Sequence, residues 1–116
     1  SAIAQGDRVK AFQIAAYFAN NPKHHPIVMT VALMYSFFSK LLLYHSLSDK
    51  SSAPKIMGVN PFFIKEYQVA SRLYSMKQVT SILGHIRTID MKSKGVGASQ
   101  LSMVDLLHEM LLAIFR

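Results

Sequence analysis

The 116-residue sequence has no cysteine, and this absence excludes disulfide frameworks, zinc ribbons and cysteine nucleophiles together. Glycine and proline are also scarce, at five and four residues, which excludes collagen-like and low-complexity chains. Charged residues make up only 16% of the chain against 51% hydrophobic residues, and this balance excludes a disordered protein. We therefore expect a single compact domain spanning residues 1–116.

Acidic residues are few: six Asp and Glu stand against thirteen Lys and Arg, giving a formal net charge of +7. Such a balance favours contact with polyanions in general and carries no information about fold. The basic residues are scattered and never form a run of five or six, so the sequence has no basic nucleic-acid-binding arm. Two interpretations follow, a mildly basic solvated surface or a phosphate-binding face.

Apolar residues recur at helical spacing between start and stop signals, whereas the alternation typical of strands is nowhere sustained. This pattern predicts an all-α fold, a compact bundle of about five helices. Residues 1–5 have the pattern of a truncated N-terminal helix that Gly6 ends. Asp7 is expected to cap a helix that reaches about Asn20. Its predicted apolar stripe is Val9, Phe12, Ala15, Ala16 and Ala19.

The segment 27–47 is apolar on nearly every face, a pattern typical of a helix that is buried centrally or embedded in a membrane. Three polar residues and Lys40 interrupt the apolar run, and the neighbouring helices are amphipathic. We therefore expect a central core helix and no membrane contact. The next segment, 48–58, is serine-rich and is expected to be a flexible internal loop.

The second half of the chain predicts three helices. Asn60 and Pro61 begin the first, which is expected to bury Phe63, Tyr67, Ala70 and Tyr74. Ser75 and Gln78 match a capping box for the second, with the apolar stripe Val79, Ile82, Leu83, Ile86 and Ile89. Gly84 in this helix indicates either a close helix crossing or an ordinary tolerated glycine. Gly95 and Gly97 are expected to stop it, and Ser102 to begin a last helix with Met103, Leu106, Leu107, Met110, Leu111 and Ile114 inward.

Motifs that would indicate catalysis or a metal centre are missing from the sequence. His108 and Glu109 begin an H-E-x-x-H pattern, but Leu112 stands where the second histidine is required. The chain has two glutamates, too few for a carboxylate-bridged di-iron site, and it has no nucleophile elbow or phosphate-cradling loop. We therefore expect a non-catalytic interaction module without a metal, cofactor or small-molecule ligand.

An ordered set of motifs points to a known family. Residues 60–70 read NPFFIKEYQVA and lead through Tyr74 and Ser75 into the amphipathic helix. Residues 3–11 and 35–41 supply an upstream helix pair and a long helix. The set resembles the C-terminal domain of the delta subunit of the bacterial sliding-clamp loader, a part of DNA polymerase III. The residues that carry this likeness are Asn60, Pro61, Phe62, Phe63, Asp90, Lys94 and Gly95.

The resemblance implies an assembly role. In that family the C-terminal helical domains of five subunits pack into a collar, and the delta subunit does not itself hydrolyse ATP. The implied partners are the other clamp-loader subunits, with the sliding clamp and DNA reached only through the parent complex. The implied location is the cytoplasm, at the replisome. Outward residues of the last two helices are the candidate interface: His85, Arg87, His108 and Arg116.

Two other functions stay open at the level of sequence. The first is a helical DNA-binding module whose basic face comprises Lys65, Arg72, Lys77, Arg87, Lys92 and Lys94. The second is a bundle that binds a small molecule around the aromatic helix, for which an interior apolar pocket of about 300 Å³ or more is required.

Overall fold

The computed structural model describes residues 1–95 and 103–116, and the secondary structure of these residues is helical, without a strand. These described residues form six α-helices and two short 3-10 helices, so the predicted all-α bundle is confirmed. The predicted roles of Gly97 and Ser102 lie outside the described residues. The α-helices are α1 Arg8–Asn20, α2 Ile27–Ser46, α3 Ala53–Met57, α4 Ile64–Leu73, α5 Met76–Ser93 and α6 Met103–Ile114.

Residues 2–6 form turns, and these turns finish with the hydrogen-bond pattern of a helix C-terminus. Gly6 has a φ of 69°, and its N–H donates to the carbonyl of Ile3 at 3.1 Å. The N–H of Asp7 donates to the carbonyl of Ala2 at 2.8 Å, which completes the paired bonds of a Schellman motif. The carboxylate of Asp7 then accepts from the N–H of Lys10 at 3.1 Å and caps α1, as predicted.

Helix α5 is the central element of the bundle, because it packs against both α2 and α6. It buries four residues of its predicted stripe: Val79, Ile82, Ile86 and Ile89. The capping box at its start is also confirmed. The Ser75 hydroxyl accepts from the Gln78 N–H at 3.1 Å, and the Gln78 side chain accepts from the Ser75 N–H at 2.7 Å.

Helix α2 is covered on one side only, so the prediction of a helix buried all round is wrong. It packs against α5, α4 and α3, and it buries Val31, Phe38, Leu41 and Tyr44. Side chains on the remaining face are exposed, among them Val28, Met29, Leu33, Tyr35 and Leu43. The composition of a helix shows that it is apolar and not how many neighbours cover it, which explains the error.

Helix α1 packs on α6 and buries Ala11 and Ala15. Two members of its predicted stripe, Val9 and Ala16, are exposed instead. Spacing alone does not determine which face of a helix docks, and contact with α6 selects a neighbouring face of α1. The side chain of Arg8 donates to the carbonyl of Phe115 and fastens α1 to the end of α6.

The segment 48–58 contains secondary structure, and the prediction of a loop is wrong in this respect. Asp49 caps a 3-10 turn by accepting from the N–H of Ser51 at 3.0 Å, and α3 follows directly. Ala53 and Met57 of α3 are buried, and Gly58, with a φ of 67°, ends the helix. Two apolar side chains are thus enough to dock a five-residue helix, while the mobility of this segment stays a prediction.

Two further expectations are overturned by local geometry. Phe63 is half exposed rather than buried, because residues 61–63 form a 3-10 turn whose register differs from that of the following α-helix. At Gly84, an added Cβ would meet no atom within 4 Å, so no close helix crossing explains this glycine. It is an ordinary glycine that the helix tolerates.

Helix α6 carries its predicted apolar face inward, with five buried residues: Leu106, Leu107, Met110, Leu111 and Ile114. His108 is exposed, as predicted. Glu109 accepts from Lys92 at 3.0 Å and links α6 to the end of α5. The sequence predicts that Glu109 faces outward, and the structure shows it half-buried in this contact between α6 and α5.

Candidate functional site

Titratable side chains in the part of the chain that the structure describes meet as ion pairs, such as Lys94 with Asp90 and Lys92 with Glu109. No group of three or more His, Asp or Glu residues there is arranged to hold a metal ion. Among residues 1–95 and 103–116, the buried side chains carry no polar or charged group except for tyrosine hydroxyls. The features that remain as functional candidates are therefore surfaces and apolar cavities, and the expectation of a non-catalytic chain stays a prediction.

The hydroxyl of Tyr74 makes a buried hydrogen bond, and the role of this bond is structural. This hydroxyl donates to the carbonyl of Ile3 at 2.9 Å, which ties the amino-terminal turn to the junction of α4 and α5. Burial raises the pKa of Tyr74 to about 12. The carbonyl of Tyr74 lies 2.7 Å from the Nε2 atom of His45 on α2, so three parts of the chain meet at this residue.

The four predicted interface residues lie in three separate places. His85 and Arg116 line one shallow cavity of about 110 Å³ between α5 and the end of α6. The ring of His108 lies on another side of α6, with its centroid 5.5 Å from that of Phe12 on α1. Arg87 lines a third cavity, of about 290 Å³, between α5 and α2. The structure brings only His85 and Arg116 together.

The carboxyl-terminal half of the family-like motif ends α5. Lys94 donates to the carboxylate of Asp90 at 3.0 Å, four residues earlier, and the Lys94 N–H donates to the Asp90 carbonyl at 3.2 Å. Gly95 follows with a φ of 80°, the left-handed conformation that glycine adopts readily. Asp90, Lys94 and Gly95 thus share a local structural task, the termination of a helix.

The amino-terminal half of the motif is an exposed aromatic turn. Asn60 accepts from the N–H of Phe62 at 2.9 Å, and the rings of Phe62 and Phe63 meet edge to face at 5.4 Å. Phe62 is 83% exposed. The two rings border a surface depression of about 460 Å³ with Lys65 and Glu66, so it is not the interior pocket that a small-molecule bundle requires.

The proposed basic face is divided. Lys92 pairs with Glu109 and Lys94 pairs with Asp90, each at 3.0 Å, so carboxylates offset two of the six charges. Lys65 and Arg72 are exposed on α4, and Lys77 and Arg87 are exposed on α5. Residues 65 and 72 are two helical turns apart and share one face of α4.

An apolar groove that the sequence did not reveal lies between α1 and α2, with α6 as its floor. We call it the α1–α2 groove, and its cavity volume is about 270 Å³. Its walls are helical stripes: Ala11, Ile14, Ala15 and Phe18 from α1, Thr30, Leu33 and Met34 from α2, and Leu107, Met110 and Leu111 from α6, with residues 1–3 at one edge. The signal for the groove in the sequence is the excess of apolar residues in α2, a pattern that by itself predicts central burial.

Helix α2 continues this apolar surface beyond the groove. Met29 is 61% exposed and Leu33 is 64% exposed, one turn apart. Among the described residues, α2 is also the one helix long and apolar enough to cross a membrane, judged by length and composition. Core helices of soluble proteins meet the same criterion, so it does not decide between a lipid and a protein neighbour.

Comparison of the chain with protein-family models, with curated proteins and with solved structures gives no match in any of the three. The likeness to a clamp-loader subunit therefore has only the sequence motifs as its support.

Proposed function

We propose that this chain is an assembly domain, a helical module that holds neighbouring subunits in a larger complex. The observation that carries the proposal is the one-sided burial of α2. Only four of its 20 residues are buried, and large apolar side chains occupy the opposite face. A contiguous exposed apolar surface of this kind is typical of protein–protein interfaces.

The sequence motifs indicate which complex this would be. They resemble those of the clamp-loader delta subunit, so we propose the collar of a bacterial clamp loader as the setting. The partners would then be the sibling subunits, and the domain would support the loading of the sliding clamp during DNA replication in the cytoplasm. Clamp and DNA would be reached through the parent complex. The compact all-α fold is compatible with this role.

Co-expression with the other clamp-loader subunits tests the proposal. We expect the chain to co-elute with them in size-exclusion chromatography, with a mass by light scattering that includes this chain. Met29→Glu should reduce co-elution because Met29 lies on the exposed face of α2. Met91→Glu on α5 is a matched control, since Met91 is also exposed. Failure of the unaltered chain to co-elute would contradict the clamp-loader assignment.

A second candidate, a DNA-binding module, is favoured by the common face of Lys65 and Arg72 on α4 beside the exposed Phe62. Phosphate neutralisation makes affinity fall steeply with salt concentration. A salt titration of binding to duplex and single-stranded DNA separates the two candidates. Tight binding by the isolated chain with a steep salt dependence, lost in Lys65→Glu, would favour this second function.

A further inference from the structure

We propose that the α1–α2 groove binds an acidic amphipathic α-helix from a partner protein. This inference rests on the proposed assembly function and specifies which element of the partner is bound and where.

The shape of the groove fits a helix. Each of its three walls presents residues spaced three and four apart, so the lining consists of three helical ridges. A partner helix enters such a groove with side chains at positions i, i+3, i+4 and i+7. Ala11 and Ala15 are already buried against α6. An inserted helix therefore reaches the exposed side chains of the lining, Ile14 on α1 and Leu33 on α2.

The charge of α1 and α2 indicates which kind of partner helix the groove binds. Residues 8–48, which include α1, α2 and their connection, contain no Asp or Glu. The same segment contains four basic residues, Arg8, Lys10, Lys23 and Lys40. The side chains that line the groove from α1 and α2 are uncharged, and the charges elsewhere on these two helices are all positive. An acidic helix is attracted to them, whereas a second copy of this chain, with a net charge of +7, is repelled.

A pair of designed peptides measures this preference directly. The first is a labelled helix of about 18 residues, roughly five turns, with Leu on one face and Glu elsewhere. The second has Lys in place of every Glu. In fluorescence anisotropy titrations at low salt, we expect the Glu peptide to bind at least about tenfold more tightly, with the preference shrinking as salt screens the charges. Equal binding of the two peptides, or binding of neither, would overturn the proposal.

Two matched variants locate the binding site. Leu33 lines the groove and is 64% exposed, while Leu112 on α6 is 61% exposed and lies outside the groove. Because both side chains are exposed, neither Leu33→Glu nor Leu112→Glu should change the thermal melt appreciably. Leu33→Glu should weaken the Glu peptide by about tenfold or more, and Leu112→Glu should leave it unchanged. An equal effect of the two substitutions would show that the peptide binds elsewhere.

Two further measurements distinguish an acidic helix in the groove from a second copy of this chain, and distinguish failure of the groove proposal from failure of the proposed function. If sedimentation shows a dimer of the chain alone that Leu33→Glu abolishes, a second copy occupies the groove and the proposal is wrong. If the chain co-elutes with clamp-loader subunits and Leu33→Glu does too, the groove proposal fails while the assembly function stands. If the chain never co-elutes but prefers the Glu peptide through Leu33, the clamp-loader assignment fails and the groove remains an acidic-helix site.

Discussion

Replacing Tyr74 with phenylalanine tests how the amino-terminal turn is held to the bundle. Tyr74 is 4% exposed, and its ring meets that of Phe38 edge-on with centroids 5.5 Å apart. Its hydroxyl donates to the carbonyl of Ile3 at 2.9 Å. Tyr74→Phe keeps the ring and removes the donor, which leaves a buried carbonyl without this partner. We expect the free energy of unfolding to fall by about 1–2 kcal/mol at neutral pH.

The same contact makes stability depend on alkaline pH. Burial raises the pKa of Tyr74 in the folded protein to about 12, against about 10 in an unfolded chain. The unfolded state therefore ionises first as pH rises, so the stabilisation is complete below pH about 10 and is lost towards pH 12. At pH about 11 the ionisation of the unfolded chain removes on the order of 1 kcal/mol of this stabilisation. The stability difference between wild type and Tyr74→Phe should consequently shrink from about 1–2 kcal/mol to near zero.

Urea unfolding followed by circular dichroism, repeated from neutral pH to about pH 11, measures this difference. Comparing two proteins at each pH cancels the titration of the other tyrosines and the lysines, which both share. Tyr17→Phe is the control, because Tyr17 is exposed and its loss removes a phenol without a buried hydrogen bond. A difference between wild type and Tyr74→Phe that stays constant or grows up to pH 11 would refute the reasoning.

Substitutions at four further positions test the fold. Gly84→Ala should raise the free energy of unfolding by about 0.5–1 kcal/mol in thermal melts, because the added Cβ has open space within a helix. Gly58→Ala should lower the free energy of unfolding, because Gly58 has a φ of 67° that alanine adopts only with strain. Ser75→Ala should cost about 1 kcal/mol in urea unfolding by removing half of the capping box, and Ser75→Asp should recover most of this loss. Phe38→Ala should cost about 3–5 kcal/mol since this side chain is fully buried, and a cost below about 1 kcal/mol would contradict the packing of α2 described above.

Features that depend on residues close in sequence were predictable. The caps at Asp7 and Ser75 join residues three positions apart, and the stripe from Val79 to Ile89 needs only the helical period. The identity of the buried face of α1 was not predictable from spacing, since Ala11 and Ala15 are selected by contact with α6. The periodicity of a helix says that it has an apolar face, and only its neighbours decide how much of that face is covered.

The candidate site was predictable to a smaller extent. His85 and Arg87 are two residues apart on α5, and side chains at that spacing do not face each other, so their separation was accessible from the sequence. The α1–α2 groove was not accessible, because its lining comes from three helices whose relative placement is tertiary information. The exposure of Phe63 was missed for a local reason, the 3-10 turn that precedes α4.

The contacts between the helices predict which part of the bundle opens first. Helix α5 touches both α2 and α6, whereas α1 is attached chiefly through α6 and through the bond from Arg8 to Phe115. Amide protons of α1 should accordingly exchange with deuterium before those of α5, since local opening follows the number of layers that hold a segment. If α1 moves away from α6, the α1–α2 groove widens while α2 stays packed on α5. The α1 wall of the groove is therefore adjustable, and the α2 wall is fixed.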